Sequence, residues 1–188
     1  MISAEAYNAT FPKYPKLVED KGWIYGIWYC GAFYKSKLYG DYPPTFLKRA
    51  MSMFPETQPD RILHCPSGSL NGSTPGMTVD LIRDDKRCPK VLASADALPF
   101  ADNSFDLVLS DPPYSKADCQ KYGTPNYPLK KSMAEFRRVL SPGGFLGLLH
   151  FYYPPYRRLD WNMKAMVGVC VGSNRKMRMF VIFQNTKL

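Results

Sequence analysis

The apolar residues follow different patterns in the two parts of the chain, and the change falls near residue 60. Beyond that point, short apolar runs of four to seven residues follow one another, at 61–65, 77–82, 90–93, 105–110 and 145–151. Runs of this length between turn residues are typical of buried parallel strands. Residues 127–140 carry apolar side chains at helical spacing, and 141–144 (SPGG) predicts a turn that ends this helix.

The last part of the chain predicts a hairpin, because residues 165–171 and 177–184 are apolar and flank the turn-forming residues 172–174. The element order predicts an α/β fold: a Rossmann-like, doubly wound, mostly parallel sheet with an antiparallel C-terminal edge strand. Only 11 residues (66–76) separate the first two strands, and 7 (83–89) separate the next two. A parallel crossover normally needs a dozen or more. We therefore expect reduced helices after strands 1 and 2, with one sheet face left to be covered.

The N-terminal segment, residues 1–58, is rich in aromatic side chains: it holds 13 of the 27 Phe, Trp and Tyr residues. Residues 23–34 predict one or two strands interrupted by glycine, and Thr45 predicts the cap of a helix that runs to about Phe54. We interpret residues 1–188 as one domain, in which residues 61–188 form the core. The N-terminal segment, or a second subunit in a homodimer, would cover the exposed sheet face.

The positive charge is concentrated in the last third of the chain. Of the net charge of +9, residues 1–119 contribute −1 and residues 120–188 contribute +10. Such an asymmetry indicates a polyanionic partner, and nucleic acid is the obvious one; a solubilising surface without a partner is the alternative. The candidates for phosphate contacts are Lys130, Lys131, Arg157, Arg158, Arg175, Lys176 and Arg178.

Composition also excludes several classes of protein. No apolar run reaches the ~20 residues of a membrane span, and the N-terminus does not resemble a signal peptide, so we expect a cytoplasmic protein. The five cysteines are far apart and form no C-x-x-C pair. This spacing favours neither a disulfide framework nor a metal site.

A chemical motif, Asp111-Pro112-Pro113-Tyr114, follows the apolar run 105–110 directly. Ligands in such sheets bind beyond the carboxyl ends of the strands. The Asp111 carboxylate and the Pro112 carbonyl, held stiffly by Pro113, can accept the two hydrogens of an exocyclic base amine. Tyr114 can stack on the base. A structural Pro-Pro turn is the alternative interpretation.

Residues 110–114 (SDPPY) resemble the catalytic motif of the amino-methyltransferases that modify N6 of adenine or N4 of cytosine, and the Asp-first form is typical of the adenine enzymes. Residues 94–111 and the 141–144 turn resemble class I methyltransferases in general. The resemblance covers roughly residues 61–151. It implies the class I fold and S-adenosylmethionine as methyl donor.

The same resemblance implies roles for residues in three loops. Asp80, with Leu81 after it, would bind the ribose of the cofactor. The adenine would be bound by Asp96, Ala97 and Leu98. Phe100 and Phe105 would form the walls of the adenine pocket. Ser67, Gly68 and Ser69 would bind the methionine end, although the usual glycine-rich turn and helix are missing there. Further candidates are Tyr39, Gly40, Tyr42 and Pro43, which would close over the methionine end or the sulfonium; packing in the core is the alternative for them. His150 is an open candidate, and we interpret His64 as structural.

Methylation of adenine N6 in DNA is the leading functional interpretation. Methylation of an RNA base, at guanine N2 or adenine N6, and a non-catalytic nucleic-acid or cofactor-binding relative are the alternatives. No segment of 60 or more residues is free to form a separate target-recognition domain. Recognition would then be relaxed, or depend on short loops and the basic C-terminal third, or require a homodimer.

Overall fold

In the computed structural model, residues 1–31, 41–124, 126–172 and 174–187 are described. Within them one sheet has nine strands: β1 (Val18–Asp20), β2 (Trp23–Tyr29), β3 (Ile62–His64), β4 (Met77–Asp80), β5 (Val91–Leu92), β6 (Phe105–Ser110), β7 (Leu140–His150), β8 (Trp161–Val171) and β9 (Asn174–Asn185). The helices are α1 (Ala4–Thr10), α2 (Phe46–Ser52), α3 (Lys116–Tyr122) and α4 (Leu129–Val139), with a 3₁₀ turn at Pro59–Arg61.

The strand order is β1-β2-β8-β9-β7-β6-β3-β4-β5. All neighbouring pairs from β7 to β5 are parallel, as is the pair of β2 and β8. The predicted mostly parallel sheet with an antiparallel edge is therefore confirmed. Its antiparallel strands differ in position from the expectation, because β9 lies between β7 and β8 and the antiparallel edge strand is β1. Strand β9 follows β8 directly in the chain and pairs with β8 along one of its edges and with β7 along the other.

The short connections after β3 and β4 contain no helix in the part of the chain that the structure describes, as predicted. Gly76 shows how tightly the first connection is packed. Its φ is +104°, and a Cβ there would lie 2.8 Å from the carbonyl oxygen of Ile62. A residue other than glycine would therefore clash with β3 and adopt a disfavoured backbone conformation.

The N-terminal segment contributes to the sheet and to one of its faces. Strand β2 extends the sheet beyond β8, while α1 and α2 pack against the face that carries Leu107, Leu109 and Phe180. Trp28 is the centre of this cluster, with its ring 5.3 Å from that of Tyr7. The opposite face packs against α4. Of the strand predicted at 23–34, β2 ends at Tyr29, and residues 32–34 lie outside the described residues.

Two local predictions need correction. Thr45 precedes α2, but its φ is +63° and its side chain makes no capping hydrogen bond. Residues 141–144 were expected to form a turn between the helix and the next strand, yet Leu140 already pairs with Phe105 in β7. Pairing resumes at Phe145 opposite Leu107, so the SPGG residues form a bulge inside the strand.

Candidate active site

A cleft opens at the carboxyl ends of the parallel strands and encloses about 870 Å³, including the part open to solvent. Its walls come from the loops after β3, β4, β5 and β6 and from the N-terminal segment. They comprise Tyr42, Cys65, Pro66, Ser67, Gly68, Asp80, Leu81, Arg87, Ala93, Ser94, Ala95, Asp111, Pro113, Tyr122, Thr124, Asn126, Tyr127 and Pro128.

Asp80 joins two of these loops at the floor of the cleft. Its Oδ2 accepts a hydrogen bond of 2.9 Å from the Gly68 backbone N–H, and its Oδ1 accepts one of 3.2 Å from that of Ile82. Gly68 has a φ of +55°, which lets the backbone turn toward the carboxylate. Of the residues expected to bind the cofactor here, Ser67, Gly68, Asp80 and Leu81 line the cleft, and Ser69 does not.

Ser67 Oγ and Tyr42 Oη are among the buried hydroxyl groups of the cleft wall that have no hydrogen-bond partner among the described residues. Ser67 is only 1% exposed. Burial, with the negative charge of Asp111 adding to it, raises the pKa of Tyr42 well above its usual value, so its hydroxyl stays protonated. Buried hydroxyls are rarely left unpaired, and a polar ligand in the cleft would satisfy both.

The adenine-binding residues expected from the sequence lie slightly behind the cleft. The wall there is formed by residues 93–95, whereas Asp96, Ala97 and Leu98 are absent from it. Asp96 accepts a short hydrogen bond from the Ser94 hydroxyl, and the Leu98 backbone N–H donates to Glu135 at 2.8 Å. Of the two phenylalanines expected as walls, Phe105 belongs to the core, and the ring of Phe100 packs edge-on against it at 5.0 Å.

Asp111 lies at the centre of the polar wall, directly after β6. The Tyr114 hydroxyl donates a short hydrogen bond to its Oδ1. Burial raises the pKa of Asp111 to about 7, while the positive charge of Arg178 and the bond from Tyr114 oppose the rise. The carboxylate still lines the cleft and is partly exposed there. A carboxyl group with this pKa can take up and release a proton near neutral pH.

The ring of Tyr114 is in contact with other side chains. Phe151 lies 4.4 Å from it between centroids, His150 lies edge-on at 4.9 Å, and the Arg178 guanidinium lies over the ring at 5.5 Å. Stacking of a base on Tyr114 stays a prediction, and in this structure the ring instead holds the hydroxyl against Asp111. Arg178, which the sequence suggested as a phosphate contact, thus lies within the site.

Four other predicted phosphate contacts are not part of the cleft wall. Lys130, Lys131, Arg157 and Arg158 are exposed, and Arg157 approaches Asp160 at 3.6 Å in an ion pair. The side chains of Arg175 and Lys176 lie outside the described residues, as do residues 39 and 40.

The two histidines differ in their surroundings. His64 is fully buried in β3, and its Nε2 lies 3.0 Å from the Pro75 carbonyl oxygen. Burial lowers its pKa to about 4, so it is neutral and structural, as expected. His150 accepts a hydrogen bond from the Tyr152 backbone N–H at 3.3 Å. Its ring packs edge-on against the ring of Tyr114 and so helps to fix the position of that tyrosine.

Sequence reasoning missed the segment that follows the Asp-Pro-Pro-Tyr motif. Helix α3 begins after Ser115, whose hydroxyl accepts the Asp118 backbone N–H at 3.1 Å, and it ends at Gly123 with a φ of +66°. The S-x-x-D pattern and the following glycine were the available signals. The end of this helix and the chain after it form one wall of the cleft, with Tyr122, Thr124, Asn126, Tyr127 and Pro128.

No helix among the described residues has the length and apolarity that a membrane span requires. Within the same residues, no group of three or more His, Cys, Asp and Glu side chains is placed to hold a metal ion.

Comparison with known proteins identifies the chemistry in general terms. Residues 74–148 match the model of a family described as a methyltransferase domain. No curated protein matches the chain. A candidate methyltransferase from Escherichia coli aligns over 81% of this chain and 92% of its own, with a TM-score of 0.53 and 12% identity. A candidate methylase from Haemophilus influenzae aligns over 71% and 83%, with a TM-score of 0.48 and 13% identity.

The structural likeness to the Escherichia coli protein confirms the predicted class I methyltransferase fold. The family match extends from the end of the first loop to β7 and includes Asp80 and Asp111. It indicates methyl transfer with S-adenosylmethionine as the donor, in agreement with the predicted cofactor. The unpaired hydroxyls of Ser67 and Tyr42, and Gly68 at the floor of the cleft, fit such a ligand.

Proposed function

We propose that this protein transfers the methyl group of S-adenosylmethionine to the exocyclic amine of a nucleic-acid base, with adenine N6 in DNA as the acceptor. One observation carries the proposal. Asp111, the first residue of the Asp-Pro-Pro-Tyr motif, lines the same cleft as the Ser67–Gly68 turn and Asp80. A group that can bind an amine therefore faces the residues proposed to hold the methyl donor.

Asp111 has two tasks in this proposal. Its carboxylate accepts a hydrogen bond from the amine, whose lone pair is otherwise delocalised into the base. The nitrogen must lose a proton when it gains the methyl group, and a carboxylate with a pKa of about 7 can hold that proton at neutral pH. The Tyr114 hydroxyl, which occupies Oδ1 here, either shares the carboxylate with the amine or turns away from it.

The second acceptor would be the Pro112 carbonyl oxygen, whose position is stiffened because Pro113 fixes the next φ angle. Two acceptors at fixed positions orient the amine toward the donor, and such positioning supplies a large part of the rate in this kind of transfer. When bound, S-adenosylmethionine supplies an electrophilic methyl group on its sulfonium. Asp80 would bind its ribose hydroxyls, and Ser67 and Tyr42 would donate hydrogen bonds to its polar atoms.

The cleft is too recessed for a base that stays paired in a duplex, so the target must be flipped out or already single-stranded. The basic C-terminal third supports a polyanionic substrate. These features fit RNA as well, and guanine N2 or adenine N6 of RNA is the second candidate. The charge distribution therefore does not distinguish DNA from RNA as the substrate.

Mass spectrometry of nucleosides tests the proposal. The protein is incubated with labelled S-adenosylmethionine and either single-stranded DNA, duplex DNA or RNA, and the nucleosides are then separated. We expect N6-methyladenine from DNA. Methylated guanine or adenine from RNA alone would establish the second candidate, and the absence of any methylated nucleoside would refute both.

Asp111→Asn and Asp106→Asn form a matched pair of variants for this assay. Both residues are on or directly after β6, but Asp106 pairs with Arg61 at 2.9 Å on the side away from the cleft. We expect Asp111→Asn to abolish transfer and Asp106→Asn to retain it. Equal loss in both variants would mean that the effect comes from the fold.

A further inference from the structure

The hydroxyl of Tyr114 and the carboxyl of Asp111 are bonded to each other within the Asp-Pro-Pro-Tyr motif. The Tyr114 hydroxyl donates a short hydrogen bond to Asp111 Oδ1. Pro112 and Pro113 lie between the two residues, and each proline fixes its own φ angle. The backbone that joins the donor to the acceptor is therefore stiff, and the bond belongs to a local unit that the motif itself defines.

The ring of Tyr114 is in contact with side chains from two other strands. The Arg178 guanidinium of β9 lies over the ring, 5.5 Å from its centroid. The ring of Phe151, directly after β7, lies 4.4 Å away between centroids and is tilted by 50°. A base that stacked on the face under Arg178 would have to displace the guanidinium, and Phe151 restricts the remaining space. The ring is therefore placed to support its own hydroxyl rather than to bind a base.

The Tyr114 hydroxyl acts as a hydrogen-bond donor to the carboxylate at neutral pH. Burial and the negative charge of Asp111 raise the pKa of Tyr114 well above its usual value, although the charge of Arg178 opposes the rise. A hydroxyl that keeps its proton does not serve as the base. In the proposed reaction the proton of the amine therefore goes to Asp111, and the contribution of Tyr114 is to fix the position of that carboxylate.

We infer that Tyr114 is a positioning residue for methyl transfer, whose hydroxyl fixes the Asp111 carboxylate for the acceptor amine and whose ring does not stack on the base. This role rests on the proposed function, in which Asp111 binds the amine. Because Tyr114 is bound at Oδ1, the amine is expected at Oδ2. A carboxylate that is already held in one orientation loses less side-chain freedom when it binds the amine.

Other ionisable groups lie close to this pair and bear on its titration. They are Arg178 of β9, Tyr42 of the N-terminal segment, Tyr122 of α3 and His150 of β7. Burial raises the pKa of Asp111, whereas the charge of Arg178 and the bond from Tyr114 lower it. Removing the hydroxyl while Arg178 stays in place should therefore move the pKa of Asp111 further upward.

Two variants separate the hydroxyl from the ring: Tyr114→Phe removes only the hydroxyl, whereas Tyr114→Leu removes both. Transfer to an adenine-containing single strand is measured at saturating S-adenosylmethionine. We expect Tyr114→Phe to lower kcat about tenfold or more at about pH 7, since a hydrogen bond to a charged group is lost, and to leave the KM for the strand within about twofold. The acid limb of its pH–rate profile should move to higher pH.

Tyr152→Phe is the matched control for these variants. Its ring packs against that of His150 at 4.3 Å, and its side chain is 52% exposed. This variant also loses a tyrosine hydroxyl close to the site, and it should behave as the wild type does. A Tyr114→Phe variant with the kcat of the wild type would overturn the inference, as would an acid limb that does not move. If Tyr114→Leu then raised the KM for the strand, the ring would be a base-stacking group.

Titration of the Asp111 carboxyl by carbon NMR tests the hydrogen bond without turnover, and Asp111→Asn assigns the signal. The pKa of Asp111 should be higher in Tyr114→Phe than in the wild type, and equal values would overturn the inference. The nucleoside assay separates the two proposals. A raised pKa without any methylated nucleoside would refute the reaction but not the bond, whereas an unchanged pKa with N6-methyladenine formed would refute the positioning role and leave the reaction.

Discussion

Replacing Asp111 by asparagine should make the protein more stable while it abolishes methyl transfer. Burial raises the pKa of this carboxyl from its usual 3.8 to about 7. In the folded state the group therefore binds a proton more tightly than in the unfolded state between these two pKa values. Stability falls as pH rises through this window, because folding must then bury a charge.

The size of the effect follows from the shift. About three pKa units correspond to about 4 kcal/mol, and roughly 3 kcal/mol of this is lost between about pH 5 and about pH 8.5. Since the carboxylate still reaches solvent through the cleft, we expect about 2 kcal/mol. An amide of the same shape carries no charge and so has no such burial cost. Replacing a functional residue in this way often stabilises the folded protein.

Urea unfolding of the wild type and Asp111→Asn at both pH values measures this difference. The variant should gain about 2 kcal/mol relative to the wild type on going from about pH 5 to about pH 8.5. The contributions of all other titrating groups to the free energy of unfolding are the same in both proteins and cancel in this comparison. A constant difference between the two proteins at both pH values would refute the proposed state of the carboxyl group.

Four further outcomes are expected. Ser67→Ala should weaken binding of S-adenosylhomocysteine about threefold to tenfold in calorimetry, because its buried hydroxyl would lose a bond to the ligand. Arg178→Gln should move the acid limb of the pH–rate profile to higher pH, since the Arg178 charge lowers the pKa of the Asp111 carboxyl; an unmoved limb would contradict this. Gly147→Ala should cost about 1–3 kcal/mol in urea unfolding, because its Cβ would meet two core side chains at 2.8 Å, whereas Gly72→Ala, with open space around it, should cost little. His64→Gln should remove part of the acid destabilisation between about pH 6.5 and about pH 4: the buried ring has a lowered pKa, so the unfolded state binds its proton more tightly and stability is lost as pH falls.

The strands and the motif were predictable because their signals are local. Each apolar run from Ile62 to His150 contains a strand, and all of these strands except the edge strand β5 are largely buried. The position of Asp111 follows from the strand that precedes it. The lack of crossover helices followed from the number of residues between strands. Helix α3 carried a local signal too, in Ser115 and Gly123, but seven residues without an apolar period do not stand out.

The contacts around the Asp111 carboxyl depend on distant parts of the chain and could not be predicted. Arg178 comes from β9, and its place beside Tyr114 depends on the insertion of β9 between β7 and β8. Tyr42 reaches the cleft because α2 packs against the sheet through Phe46, whose ring lies 5.4 Å from that of Tyr42. Neither placement has a signature in the neighbouring sequence.

The most direct test of whether Asp111 binds the acceptor amine is the rate of single-turnover methyl transfer to an adenine-containing single strand. Cofactor affinity is measured on the same proteins. For Asp111→Asn we expect the rate to fall by at least about a thousandfold, while S-adenosylhomocysteine binds within a few fold of the wild type. Transfer at a rate near that of the wild type, or loss of cofactor binding together with activity, would contradict the role proposed for this carboxylate.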